Sequence, residues 1–332
     1  MKASNWPDRV IGEINQISDR AAMGLPDHYV APLLAVEADV LEHVRSLDAA
    51  TLVALVEDRD VGAARRIAAG WMLSAIGDPR LDPLRPEMIA IAGGQARIGT
   101  ERARIDQVVE RYARFGVKRS WIEKESPRFS TEIEDFALGK YPVTNGEFAV
   151  FLEDTEYPAL PSSWAYGKPS AFALNAPVYT VSADAAQAYA AWLGDRTGRR
   201  FRLPTEYEWE HAAAGAAGRA FPWGDEFSAG CANTMEAGLL GVSPVGAFPA
   251  GNTPEGVADL AGNVEEYVSD VYHPYPGGEL IADDLYRKLG EYRVARGGAF
   301  NRFADLARCQ RRHGAYPSSL YAIGFRLAES LA

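Results

Sequence analysis

The chain has 332 residues, 47% hydrophobic and 24% charged, a balance that supports a buried core in one large domain or two ordinary ones. A net charge of −11 and a sequence pI of about 5.1 argue against a nucleic-acid partner, because phosphate binding needs clustered Lys and Arg. No apolar run reaches the roughly 18 residues of a membrane span, and Met1 to Asp19 lacks the apolar stretch of a secretory signal, so the expected location is cytoplasmic.

The first 85 residues read as helical. Between Tyr29 and Leu47 the residues Val30, Leu33, Leu34, Val36, Val40, Leu41 and Val44 recur at three- and four-residue steps. A second helix fits Ala50–Glu57, and a third runs from Val61 to Ile76, with Asp60 as N-cap and Gly77 as the stop. Pro79, Pro83 and Pro86 then form a rigid linker. Asp58 to Asp78 resembles one HEAT-type unit without a second copy; such a unit cannot bury its own face and is expected to dock downstream. The expected division is a helical leader at 1–85 and a second domain at 86–332.

From Met88 onward short apolar runs, glycines, prolines and aromatics replace long helices. Strands are expected at Met88–Ala92, Phe136–Gly139 and Arg293–Arg296. Helices are expected at Asn145–Glu153, capped by Thr144, at Ala183–Thr197, from Ser182 to Gly198, and after Pro204 and Thr205. Segments 154–176 and 214–256 are expected to be structured loops, and Thr100–Ser130, charged and mixed, an insertion or lid. Cys231 and Cys309 lack the spacing of a disulfide framework or zinc site.

Seven phrases in order carry a resemblance. They are Met88–Gly99 (MIAIAGGQARIG), Lys140–Asn145 (KYPVTN), Phe201–Ala213 (FRLPTEYEWEHAA), Phe221–Gly224 (FPWG), Asp259–Tyr267 (DLAGNVEEY), Arg296–Phe300 and Gly324–Leu327. Together they resemble the formylglycine-generating, or sulfatase-modifying-factor, family. The resemblance implies an irregular, loop-rich α+β fold related to the C-type lectin scaffold, here preceded by the helical leader.

In that family a cysteine pair binds copper(I) just after the R-G-G phrase, a task for soft thiolates. The matching positions here are Arg302 and Ala307; the phrase's serine is Ala299, and the tryptophan of N-V-W-E-W is Glu265. The resemblance therefore implies a member without copper-dependent cysteine oxidation. Relatives that hold iron through three histidines use an H-x-x-x-H motif that His28, His43, His211, His273 and His313 do not form; iron is nonetheless left open. The family's calcium loop corresponds to Asp259, Gly262, Val264 and Glu266, and Asn233 with Thr234 resembles the start of a second.

Three functions remain open. One is a binding module for a protein or small molecule, using residues 299–323 as a surface loop that some relatives diversify by retroelements. Phe303, Arg308, Arg311, Arg312, Tyr316 and Tyr321 would supply its contacts. Another is an oxidoreductase or other enzyme with a rebuilt site, in which Glu265, Arg302 and His313 give an acid, a cation and a base. The last is an assembly protein whose helical leader docks a partner.

Overall fold

The structure, a computed structural model, describes residues 9–25 and 38–331. Val30, Leu33, Leu34, Val36 and His28 lie outside those residues. After a short turn of helix, α1 (Asp19–Ala22), the leader consists of α2 (Ala38–Arg45), α3 (Ala49–Glu57) and α4 (Ala63–Ile76). Asp48 caps α3 by accepting the Thr51 N–H. The residue capping α4 is Gly62 rather than the expected Asp60, and Gly77 ends it at φ 97°.

Val44, Leu52, Val56, Ala68, Ala69 and Leu73 form a small core among the three helices. The outer side of α4 packs on the rest of the molecule. Gly70 lets it lie against Pro244, whose ring would be 2.5 Å from a Cβ there. Asn175 Nδ2 donates to Gly70 O at 2.9 Å, and Arg66 Nε donates to Ala247 O at 2.7 Å. These bonds satisfy buried polar groups that apolar packing would strand.

The remainder is built on three small sheets. β1 (Met88–Ile91), β4 (Phe136–Gly139), β9 (Ala328–Ser330) and β5 (Phe201–Arg202) lie in that order, antiparallel. β2 (Gly94–Ile98) pairs with β3 (Phe129–Ile133). β6 (Glu265–Val271) lies between β7 (Arg293–Arg296), antiparallel, and β8 (Ile323–Phe325), parallel. Between β2 and β3 the chain makes α5 (Ile105–Tyr112) and α6 (Arg119–Glu123), so the expected insertion is a helical layer.

Around the sheets run α7 (Asn145–Thr155), α8 (Ala183–Thr197), α9 (Glu206–Ala214) and α10 (Asp284–Leu289). Both α7 and α9 begin with a reciprocal cap, Thr144 with Glu147 and Thr205 with Glu208. The aromatics Phe148, Phe151, Tyr189 and Phe325 are buried in one core cluster, and Trp209 lies in a second. Segments 154–176 and 214–256 are loops with isolated 3₁₀ turns. Among the described residues no helix is long and apolar enough to cross a membrane.

Candidate functional site

After β7 the chain turns at Gly297 and Gly298, with φ 98° and 72°. A Cβ on Gly298 would stand 2.8 Å from Ala307 N, so this turn needs glycine for space as well as for its left-handed backbone. The turn sends residues 299–313 into the interior. Ala299, Arg302, Phe303, Ala307, Arg308, Arg311, Arg312 and Tyr321 are all buried, and Tyr316 is half-buried. The expectation of an exposed recognition loop is therefore corrected. Two segments close over it: residues 9–25 and the α5–α6 layer, where the Phe115 ring stacks on Phe303 at 4.2 Å. Arg308, Arg311 and Arg312 each find a carboxylate, and the pairing offsets desolvation, whereas Arg302 lies over the Tyr321 ring.

Those carboxylates were not legible as partners. Glu206, at the start of α9, accepts from Arg296 Nη1 at 2.6 Å and from Arg312 Nε and Nη2 at 2.8 Å each. Burial works to raise the Glu206 carboxyl, but Arg312 and Arg296 outweigh it and hold it below the usual carboxylate range. Glu210 takes the other side of Arg296 at 2.5 Å. Glu125, at the end of the α5–α6 layer, accepts from Arg308 Nη2 at 2.6 Å and lies 3.8 Å from Arg311 Nε. Lys124 pairs with Asp283 at 2.7 Å, and burial pushes its ammonium down to about 8. Local sequence offers no sign of these pairs; Arg308 and Glu125, for example, are 183 residues apart.

The three candidate catalytic residues do come together. Glu265 Oε2 and His313 Nδ1 are 2.6 Å apart; Glu265 begins β6, and His313 bridges Ala295 on the neighbouring β7. Burial lowers the His313 pKa more than Glu265 raises it, so a neutral imidazole donating Nδ1–H is the fitting form. Its ring stacks on Tyr321 at 5.1 Å, and the Arg302 guanidinium lies 5.4 Å from the Tyr321 ring centre. Tyr321 Oη donates to Asn15 Oδ1 at 2.6 Å, and Asn15 Nδ2 donates to Asp284 at 2.6 Å, so residues 9–25 lie directly over the group. Glu265 Oε1, Arg302 Nη1 and Asn301 Oδ1 are buried without a protein partner. An acid, a base and a cation are thus present, covered from solvent.

Copper does not fit these residues, because the thiolate positions hold the Arg302 guanidinium and the Ala307 methyl. Cys309 is buried, with its thiol pushed up by that burial, and neither it nor Cys231 is bonded to another cysteine. Iron on three histidines does not fit the described residues either: His211 Nε2 meets Ala92 O, His313 meets Glu265, and no three or more His, Cys, Asp or Glu among them are grouped so as to hold a metal ion.

At the expected calcium loop, Asp259 Oδ2 accepts the Gly246 N–H at 2.7 Å. Burial, with the nearby Glu266 charge adding to it, raises the Asp259 carboxyl to about 6. Glu266 is gripped by Arg326 at 2.6 and 2.7 Å and by Trp209 Nε1 at 2.7 Å. Arg326 therefore already neutralises one of the two carboxylates that calcium would use. Gly262 donates to Gly297 O, Val264 is buried before β6, and Asn233 interlocks with Asn263.

Three comparisons with known proteins bear on these features. The family model described as a sulfatase-modifying factor enzyme 1-like domain matches residues 77–331. A hercynine oxygenase of Mycolicibacterium thermoresistibile is 31% identical over 245 residues, covering 62% of this chain and 53% of that protein. The chain thus spans about half the length of the hercynine oxygenases it matches. The mouse protein named inactive C-alpha-formylglycine-generating enzyme 2 is 30% identical over 319 residues, 78% of this chain and 91% of that one. Among solved structures, PvdO from Pseudomonas aeruginosa aligns with a TM-score of 0.57 and 28% identity, covering 75% of this chain and 95% of that chain.

Proposed function

The chain belongs to the sulfatase-modifying factor enzyme 1-like family, and we propose that within it this protein binds a ligand and does not oxidise cysteine with copper. One observation carries the reading: the two thiolate positions are a buried guanidinium over the Tyr321 ring and a buried methyl packed with Phe221, Ala232 and Ala261. A relative of similar length whose name calls it inactive supports it. Incubation with copper(I), oxygen and a cysteine peptide bearing the family's recognition motif tests it. No aldehyde should form; an aldehyde detected by mass spectrometry would overturn the proposal.

A second reading, an enzyme with rebuilt chemistry, is favoured by the Glu265–His313 contact and by the unpartnered Glu265 Oε1 and Arg302 Nη1 beside it. Product from hercynine and oxygen, lost in Glu265→Gln with folding intact, would establish it; no product from the wild type counts against it.

We also propose a structural calcium at Asp259, Gly262, Val264 and Glu266. Asp259 and Glu266 bring two buried carboxylates to this loop in support of it, and Arg326 competes with it for Glu266. The helical leader is proposed as a brace whose outer side, where Leu41 is exposed, can take a protein partner.

A further inference from the structure

A second place in the molecule has the features of a binding site and lies apart from the Glu265–His313 pair. α5 and the turn before it carry Arg104, Gln107, Val108 and Arg111 at three- and four-residue steps, which puts them on one side of a helix. That side forms one wall of a narrow, solvent-open cleft of about 60 Å³. Arg128, just before β3, and Arg308, from the interior loop, form the other walls with the loop at 218–225. Four guanidinium groups therefore face one small space, against one lining carboxylate, Asp225, which already accepts the Ala220 N–H at 3.0 Å.

The four do not have equal counter-charges. Arg128 is held by Gly99 O at 3.0 Å and Arg308 by Glu125, so these two are fixed in the wall. Arg111 and Arg128 pair with Glu226 and Glu101, whose side chains are 82% and 55% exposed. Solvent-screened pairs of that kind yield readily to a better-placed anion. Arg104 makes no ion pair among the described residues. Arg308 is 4% exposed, lines the cleft, and has an Nε with no hydrogen-bond partner in the protein. A guanidinium N–H buried without an acceptor is costly to keep.

We propose that this cleft binds a small oxyanion, a phosphate or sulfate group either free or as an ester. Planar guanidinium groups match the paired oxygens of such groups, and fixed ones do so at little entropic cost. Val108 and Tyr112 give the cleft an apolar rim suited to the carbon part of an ester. The inference rests on the binding reading and names the class of ligand.

Titration calorimetry of the full chain with inorganic phosphate, sulfate and phenyl phosphate, against chloride at matched ionic strength, tests it. Saturable binding is expected, weakened roughly tenfold or more by Arg104→Ala and by Arg308→Lys, and unchanged by Arg45→Ala on the distant leader. Tighter phenyl phosphate assigns an ester, and equal affinities assign the free oxyanion. No saturable binding, or binding indifferent to both cleft variants, would overturn the proposal. If Arg308→Lys does not fold, Arg104→Ala decides alone, because its side chain is exposed. Aldehyde formation in the copper assay would end the non-oxidase reading without touching this affinity, and loss of the affinity would leave that reading in place.

Discussion

Replacing Glu206 by Gln is the most direct probe of how the interior loop is held. The carboxylate accepts three N–H groups from Arg296 and Arg312, and all three side chains are at most 2% exposed. The amide preserves shape but removes the charge and turns one acceptor into a donor. Arg296 keeps Glu210, whereas Arg312 keeps only the Lys124 carbonyl. Leaving a buried charge uncompensated costs about 3–5 kcal/mol, and that is the expected loss on urea unfolding followed by tryptophan fluorescence. Trp209, 5.4 Å from the Arg296 guanidinium, reports on the site.

The sign with pH follows from the depressed Glu206 pKa. The unfolded chain binds the proton more readily than the folded one, so this contribution is complete above the ordinary value of 4.5 and is lost as pH falls through the lower folded value. The gap between wild type and variant should narrow below that pH. The exposed pair Arg45–Glu42 supplies the control, with Glu42→Gln costing less than about 0.5 kcal/mol. A Glu206→Gln loss below about 1 kcal/mol would refute the clamp.

Asp259 should show the opposite slope. Its folded pKa of about 6 lies above the ordinary 3.8, so the folded state keeps the proton longer and loses stability as pH rises between them. Asp259→Asn in chelator should therefore gain up to roughly 3 kcal/mol above pH 6, at about 1.4 kcal/mol per pH unit, measured by urea unfolding. Millimolar calcium should stabilise the wild type and not the variant; equal responses would remove the calcium proposal. Gly298→Ala should lower Tm by scanning calorimetry, because a left-handed backbone with a side chain costs about 1–2 kcal/mol before the clash with Ala307 is counted. An unchanged Tm would mean the turn is not held. Cys231, half-buried, should react with a thiol reagent in the native protein, and Cys309 only on unfolding; early reaction of both would show the interior loop to be open.

The helices with caps were legible to within a residue or two. Ser182 to Gly198 brackets α8, and Thr144 and Thr205 open α7 and α9, because capping is chemistry between residues three apart. β6 and the β2–β3 pair escaped notice for the converse reason. Gly94–Ile98 alternates weakly, and its pairing with Phe129–Ile133 is made across the helical insertion. Strand length of five to seven residues leaves little periodic signal for any of them.

The site was legible as membership and illegible as environment. Glu265, Arg302 and His313 could be grouped because they follow the order of known phrases. A guanidinium on a solvated face and one inside a fold have the same local sequence, though, and only the partner distinguishes them. For Arg308 that partner is Glu125, in the stretch from 100 to 130 whose mixed charge pointed to an insertion or lid but to no partner. The same stretch supplies Arg104 and Arg111, and so one wall of the cleft. Burying Arg308 on Glu125 ties the interior loop to the helical insertion, and it also brings the free edge of that guanidinium to the seam between them. The contact that ties the interior loop to the insertion is therefore also the one that fixes the Arg308 cation of the cleft. An anion bound there should raise the stability of both segments together.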